Sequence, residues 1–266
     1  MKNASKFVLG EALDRNLTEQ NRFWGSSPYS EFHDGTEVIW FITGYPVSVL
    51  NAVSGARLPN NNVDTIIEDA LEHFTQYQIP VTWWIGPLTH PRNLGESLED
   101  HGFKEALEMP GMVLHLSTLP PAVEFPDDFS IVQVSEESSL RKWADAQSKG
   151  FGGDQNEADI FFEFEKSLGM DTQSRWIRFV GMVEDEPVAV SVLFFGAGVA
   201  ALFNVAVVPE FRRRGFGTLM TQEPLLRARS RGYHYGVLKA TPLGTELYTS
   251  MKFEECCKIH MYVYKS

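Results

Sequence analysis

The chain has 266 residues, 43% of them hydrophobic and 22% charged. That is enough for one or two domains with real cores, and it excludes a disordered tail, a collagen-like chain and a disulfide scaffold. Its 23 basic and 35 acidic residues leave a formal charge of −12, which argues against nucleic acid as a partner, because phosphate backbones demand a basic face.

The N-terminus, Met1 to Lys6, leads into a short apolar patch that Glu11 and Asp14 interrupt, so no signal peptide is expected. Strands are expected at 37–43 and 47–53. A helix is expected over 63–76, where Ile66, Ile67, Ala70, Leu71 and Phe74 recur at helical spacing. A strand at 81–85, a short helix at 94–101 and strands near Phe103 and over 112–116 complete the first half. Trp83 and Trp84 fit buried strand packing better than an aromatic substrate wall.

The stretch from Pro120 to Asp128 contains three prolines and reads as a stiff linker. After it come a strand at 129–134, helices at 137–149 and 157–168 separated by Gly150-Phe151-Gly152-Gly153, and a strand at 175–183. Residues 188–208 form 21 positions without a charge, the length of a membrane span. Gly196-Ala197-Gly198 sits at their middle, however, and two buried strands around a glycine turn fit better. No membrane partner is expected. A helix at 216–230 contains Pro224, where a kink is expected. A strand at 235–240, a helix at 244–251 and a hairpin of 253–258 with 259–264 close the chain. The hairpin carries the adjacent Cys256 and Cys257, which point to opposite faces of a strand. No disulfide framework follows, and a reducing, cytoplasmic compartment is expected.

The order of elements describes an α/β (α+β) chain with mixed sheets covered by helices. The first half repeats it in shorter form: residues 94–103 overlie 244–253 at an offset of 150, with Glu96 matching Glu246 and Phe103 matching Phe253. The division expected is a first domain over 1–119, a linker over 120–128 and a second domain over 129–266.

Chemistry concentrates in one segment. An apolar strand ends at Pro209 and runs through Glu210-Phe211-Arg212-Arg213-Arg214-Gly215-Phe216-Gly217-Thr218 into a helix. Unpaired amides at a helix start, with the macrodipole, make an anion site. Gly215 and Gly217 let an anion approach the backbone, and Thr218 offers a hydroxyl. The lysine of a nucleotide P-loop is missing, and so is a G-x-G-x-x-G dinucleotide turn. Taken alone, R-x-x-G-x-G fits a solvated basic turn as well as a site. No metal is expected, since the seven histidines form no H-x-x-H and the cysteines lack zinc spacing.

With V-x-P-x-F-R-x-x-G-x-G at Val207 to Gly217 and L-Y-x-x-x-K-F at Leu247 to Phe253, the region from Phe129 to Tyr264 resembles the GNAT superfamily of acyl-CoA-dependent N-acetyltransferases. The departure is Lys252, where the family usually has glycine. The resemblance implies two GNAT-like domains in tandem. It implies acetyl-CoA as cosubstrate, with its pyrophosphate on the amides of Arg213, Arg214, Gly215, Phe216, Gly217 and Thr218 and Arg212 at the family's arginine or glutamine position. The pantetheine arm would pair like an added strand with Val205, Ala206 and Val207. Tyr248 matches the tyrosine that protonates the leaving thiolate, and a primary amine, of a small molecule or a peptide, would attack directly in a ternary complex.

Many relatives carry a glutamate base on the central strands. Here Asn204 stands on the first and no carboxylate lies on the second, which leaves Asp154, Glu157 and Asp159 as other carboxylates; His234 fits a surface position. The first half lacks R-x-x-G-x-G, places Asp64, Glu68 and Asp69 in its corresponding helix and has Leu98 where the second half has Tyr248. It resembles a degenerate copy with a scaffolding role or a role in shaping the acceptor pocket. The alternative to an acetyltransferase is an acyl-CoA-binding regulatory or scaffold protein without catalysis. A general phosphate binder would show no preference for CoA over ATP.

Overall fold

The computed structural model describes residues 4–120, 126–171 and 173–265, so residues 121–125 of the expected linker lie outside it. In the first half the elements are α1 (Lys6–Gly25), β1 (Glu31–Asp34), β2 (Ile39–Ile42), β3 (Asn51–Ser54), α2 (Val63–Gln76), β4 (Val81–Ile85), α3 (Leu94–Asp100) and β5 (Lys104–His115). The second half contains β6 (Phe129–Gln133), α4 (Glu137–Phe151), α5 (Gln155–Ser167), β7 (Trp176–Val183), β8 (Glu186–Gly196), β9 (Val199–Val207), α6 (Phe216–Ser230), β10 (Tyr235–Lys239), α7 (Thr245–Ser250) and β11 (Glu254–Tyr264).

The chain divides into two compact units. One holds Ala4–Gly111, Ala240–Pro242 and Glu255–Ser266; the other holds Met112–Lys239 and Leu243–Glu254. In the first unit the sheet order is β1-β2-β3-β4-β11-β5, with β3 and β4 parallel. Helix α1 starts at Ser5, whose hydroxyl accepts from Val8 N at 3.4 Å. It buries Leu9, Leu13, Leu17 and Trp24 along one stripe. In α2, Ile67, Ala70 and Phe74 turn inward to a core that includes Trp83, Leu94, Leu98 and Phe103. Trp83 is fully buried and Trp84 nearly so, as strand packing predicts.

Two of the expected breaks are absent. The strands near Phe103 and over 112–116 are the single β5, and the closing hairpin is the single β11. Strand β11 lies between β4 and β5, so both its edges are occupied and the chain has no reason to fold back at Lys258. Gly111 lets β5 run through this crowded place: a Cβ there would lie 2.4 Å from Cys257 Sγ and 3.1 Å from a Leu13 methyl. Cys256 Sγ donates to Gly111 O at 3.3 Å, and both cysteines are free thiols.

In the second unit, residues 112–115 of β5 stand beside β10, followed in order by β9, β8, β7 and β6. All neighbours from β9 to β6 are antiparallel, whereas β9 and β10 are parallel. The uncharged stretch is the β8–β9 hairpin. Its loop is Ala197-Gly198, both at positive φ (50° and 75°), the backbone a two-residue hairpin turn requires. Among the described residues no helix is long and apolar enough to cross a membrane. A reciprocal capping box of Glu136 and Ser139 starts α4, and Asp154 caps α5. Under them lies a buried ion pair: Glu165, fully buried, accepts from Arg178 Nε at 2.6 Å and from Trp176 Nε1 at 2.9 Å. Helix α6 runs on through Pro224 without interruption.

Candidate active site

The site begins where two parallel strands part. β9 pairs with β10 only from Ala200↔Gly236 to Leu202↔Leu238. β10 ends at Lys239, but β9 continues to Val207. On its other edge the β8 register jumps from Val192↔Phe203 to Val190↔Ala206. One extra residue is accommodated there, and Asn204 sits in the resulting bulge at φ 50°. Beyond it, Val208 N donates to Val188 O at 2.8 Å. A trans peptide points its N–H and C=O in opposite directions, so the Val207 carbonyl faces away from β8, into the gap between β9 and β10. Val205 presents its backbone to the same gap by strand alternation, while Ala206 turns to β8.

A single 3-10 turn, Pro209–Phe211, follows. Arg212 turns its side chain back: Nε donates to Val207 O at 3.1 Å and one terminal nitrogen to Gly150 O at 2.9 Å. It thereby braces the turn against the end of α4, where Gly150 lies against Ala206. Arg213 takes a left-handed φ of 65°, and the Arg214 guanidinium stacks over the Phe211 ring at 5.0 Å. Gly215 caps α6 at φ 85°, with open space where a Cβ would stand. Phe216 anchors the first turn by stacking on Phe129 at 4.3 Å.

Thr218 N and Leu219 N both donate to Gly215 O, at 3.0 and 3.2 Å. Among the described residues, the amides of Arg213, Arg214, Gly215, Phe216 and Gly217 have no hydrogen-bond acceptor. Five consecutive free N–H groups at a helix start form an anion cradle. Of the sequence-predicted residues, Val205 and Val207 face the gap and Arg213 to Gly217 lie at its mouth, whereas the Thr218 amide is spent on Gly215 O, Ala206 turns to β8 and Arg212 braces the turn.

Helix α7 packs on the first turn of α6, with Leu247 against Gly217. Tyr248 is 6% exposed, and its ring meets Phe253 edge-on at 5.6 Å. Burial pushes its phenol above the ordinary range, opposed by a hydrogen bond with the Thr221 hydroxyl. The Thr221 hydroxyl donates to Gly217 O at 2.8 Å. Lys252 adopts the left-handed φ of 70° that glycine would take, and the turn after α7 survives the substitution.

The carboxylates take different places. Asp154 accepts from Glu157 N at 2.9 Å as a cap, and Asp159 pairs with Arg141 at 2.8 Å. Glu157 folds over Gly153, and burial, helped by the nearby Asp154 charge, raises its carboxyl pKa. The folded state then holds the Glu157 proton more tightly than the unfolded state. Its contribution to stability falls as pH rises from the ordinary glutamate range through the raised value. Glu157→Gln is therefore expected to match wild type in urea midpoint near pH 4 and to exceed it progressively toward pH 7; parallel titrations would check this. His234 is half-buried at the start of β10, where its carbonyl accepts from Leu116 N, at the opposite end of the strand from the gap.

The first unit lacks this geometry. After β3 and β4, His90 N donates to Ala56 O at 3.1 Å and Leu58 N to His90 O at 2.9 Å. These bonds rejoin the two parallel strands where the second unit lets them part. Asp64 occupies the first turn of α2, and Leu98 is buried at the place of Tyr248 in the overlay.

Residues 139–252 match the Acetyltransferase (GNAT) family. Among solved structures, the chain is similar to a GCN5-related N-acetyltransferase from Kribbella flavida (TM-score 0.71, 14% identity, covering 95% of this chain and 96% of that one). It also resembles a tandem GNAT protein from the clavulanic acid biosynthesis pathway (TM-score 0.64, 11% identity, 99% and 96% covered). A third is a GCN5-related N-acetyltransferase from Sphaerobacter thermophilus (TM-score 0.61, 17% identity, 98% and 92% covered). No curated protein matches the sequence. At these identities the structures speak for the fold, which over the whole chain is that of tandem GNAT proteins; residues 139–252 form a domain of the acetyltransferase (GNAT) family.

Proposed function

We propose that the chain is an N-acetyltransferase that moves the acetyl group of acetyl-CoA to a primary amine by direct attack in a ternary complex. The observation that carries this reading is the run of five free amides, Arg213 to Gly217, at the mouth of the gap between β9 and β10. The residues fit the cosubstrate: the cradle suits a diphosphate, and the β9 edge at Val205 and Val207 suits an extended amide-bearing arm. When bound, acetyl-CoA supplies an activated thioester: the amine nitrogen bonds to the acetyl carbon, the carbon–sulfur bond breaks, and the amine loses one proton while the thiolate gains one. Tyr248 donates that proton to sulfur, and its raised pKa keeps the phenol protonated across the physiological range. Water relays the amine proton outward, since Asn204 cannot accept one. The −12 charge favours a cationic acceptor, and the two free thiols fit a reducing cytoplasm.

The test is incubation with acetyl-CoA, a panel of amines and a thiol reagent that reads CoA release. Release that depends on an amine supports the proposal; none across a broad panel, with CoA bound, favours an acyl-CoA-binding scaffold, the reading that Asn204 in place of a carboxylate suggests. Tyr248→Phe is expected to lower kcat by about 10²- to 10⁴-fold while CoA affinity, measured by calorimetry, stays within a factor of about 3.

A further inference from the structure

Asn204 combines three observations that the anion cradle and Tyr248 leave unexplained. It occupies the β9 bulge in a left-handed conformation, at φ 50°. Its Nδ2 is closed off from solvent and has no hydrogen-bond partner among the described residues. It also stands two residues past Leu202↔Leu238, the last pair before β9 leaves β10. An unpaired buried donor and a left-handed non-glycine residue each cost stability, and such costs concentrate where strain serves a site. An arm that starts at the amides of 213–217 and follows β9 backward reaches the closed end of the gap at Asn204. The three residues from Val207 to Asn204 span about 10 Å of strand.

We infer that Asn204 Nδ2 donates a hydrogen bond to the carbonyl oxygen of the acyl thioester, adding a side-chain donor to any that the backbone provides. This rests on the acetyltransferase reading above. As the amine lone pair forms the new carbon–nitrogen bond, the carbonyl π electrons move onto oxygen, where an N–H already in place stabilises them. The same pair returns as the carbon–sulfur bond breaks and the thiolate takes its proton. A carboxamide suits this role and a carboxylate does not, since only the former carries N–H donors.

The experiment is infrared difference spectroscopy of isotope-labelled acetyl-CoA bound to wild type, Asn204→Gly and Asn204→Asp. Glycine accepts the positive φ and removes the donor; aspartate keeps the shape and offers only acceptors. The carbonyl stretch should move to lower frequency on binding wild type, and both variants should lose most of that shift while CoA itself binds within about threefold of wild type. In turnover, kcat should fall about 10²- to 10³-fold with KM for acetyl-CoA little changed. An equal carbonyl shift in wild type and variants overturns the assignment of Asn204. Failure of wild type to bind acetyl-CoA at all instead overturns the acetyltransferase reading on which it rests.

Discussion

Glu165→Ala is expected to destabilise the C-terminal unit by about 3–5 kcal/mol, the cost of stranding one partner of a buried pair. Arg178 is 3% exposed, and its Nε would lose an acceptor at 2.6 Å that burial prevents water from replacing. Trp176 Nε1 would lose the same oxygen, now 2.9 Å away. Two of the Arg178 bonds would remain, to Gly169 O at 2.8 Å and Glu165 O at 2.9 Å, so the guanidinium would stay in place but uncompensated. Urea unfolding followed by tryptophan fluorescence would measure the loss. The paired replacement Glu165→Leu with Arg178→Met should recover most of it, because removing both charges removes the desolvation cost together with the attraction. If the single and double replacements were equally stable, the pair would not be the organising contact beneath α5.

Gly215→Asp should weaken CoA binding by roughly 10²- to 10⁴-fold. Open space surrounds the Cβ position, and aspartate is among the residues that tolerate a left-handed φ, so the fold should survive. A carboxylate at the start of α6 would bond the free amides itself and repel a diphosphate. Losing two charge-assisted hydrogen bonds at about 1.5–3 kcal/mol each corresponds to that range of affinity. Calorimetric titration with CoA checks the prediction, with unchanged melting temperature as the control; affinity within threefold of wild type would remove the cradle from the site.

These two predictions also show where the sequence was readable. Val207 to Gly217 announced a strand, a turn and a helix start by composition alone, and the structure places five free amides there. What the string of letters concealed is where Arg212 goes: a guanidinium that reads as an anion ligand instead bonds Val207 O and Gly150 O, and Gly150 lies 62 positions away. The bulge at Asn204 was equally hidden, since one extra residue in a strand shifts register without altering its apolar character. Helix α1 was missed because its buried surface includes Asp14, Asn16, Gln20 and Asn21, polar residues that erase the apolar period. The long β5 was divided into strands near Phe103 and over 112–116, and β11 was divided between Lys258 and Ile259. Local chemistry suggests a break at both places, but each is held extended by neighbours distant in sequence.

The first unit teaches the converse. It lacks R-x-x-G-x-G, and in the structure its two parallel strands are rejoined by the backbone of Ala56, Leu58 and His90. A chain with the same element order can therefore keep the fold and close the gap with two hydrogen bonds.

The proposed acyl-CoA site lies in the C-terminal unit, on the amides of Arg213 to Gly217. A crystal structure of the chain grown with CoA tests it most directly. Diphosphate density is expected on those amides, with an extended arm beside Val205 and Val207 and a thiol near Tyr248. Density for CoA elsewhere, or a gap between β9 and β10 that stays empty at saturating CoA, would contradict it.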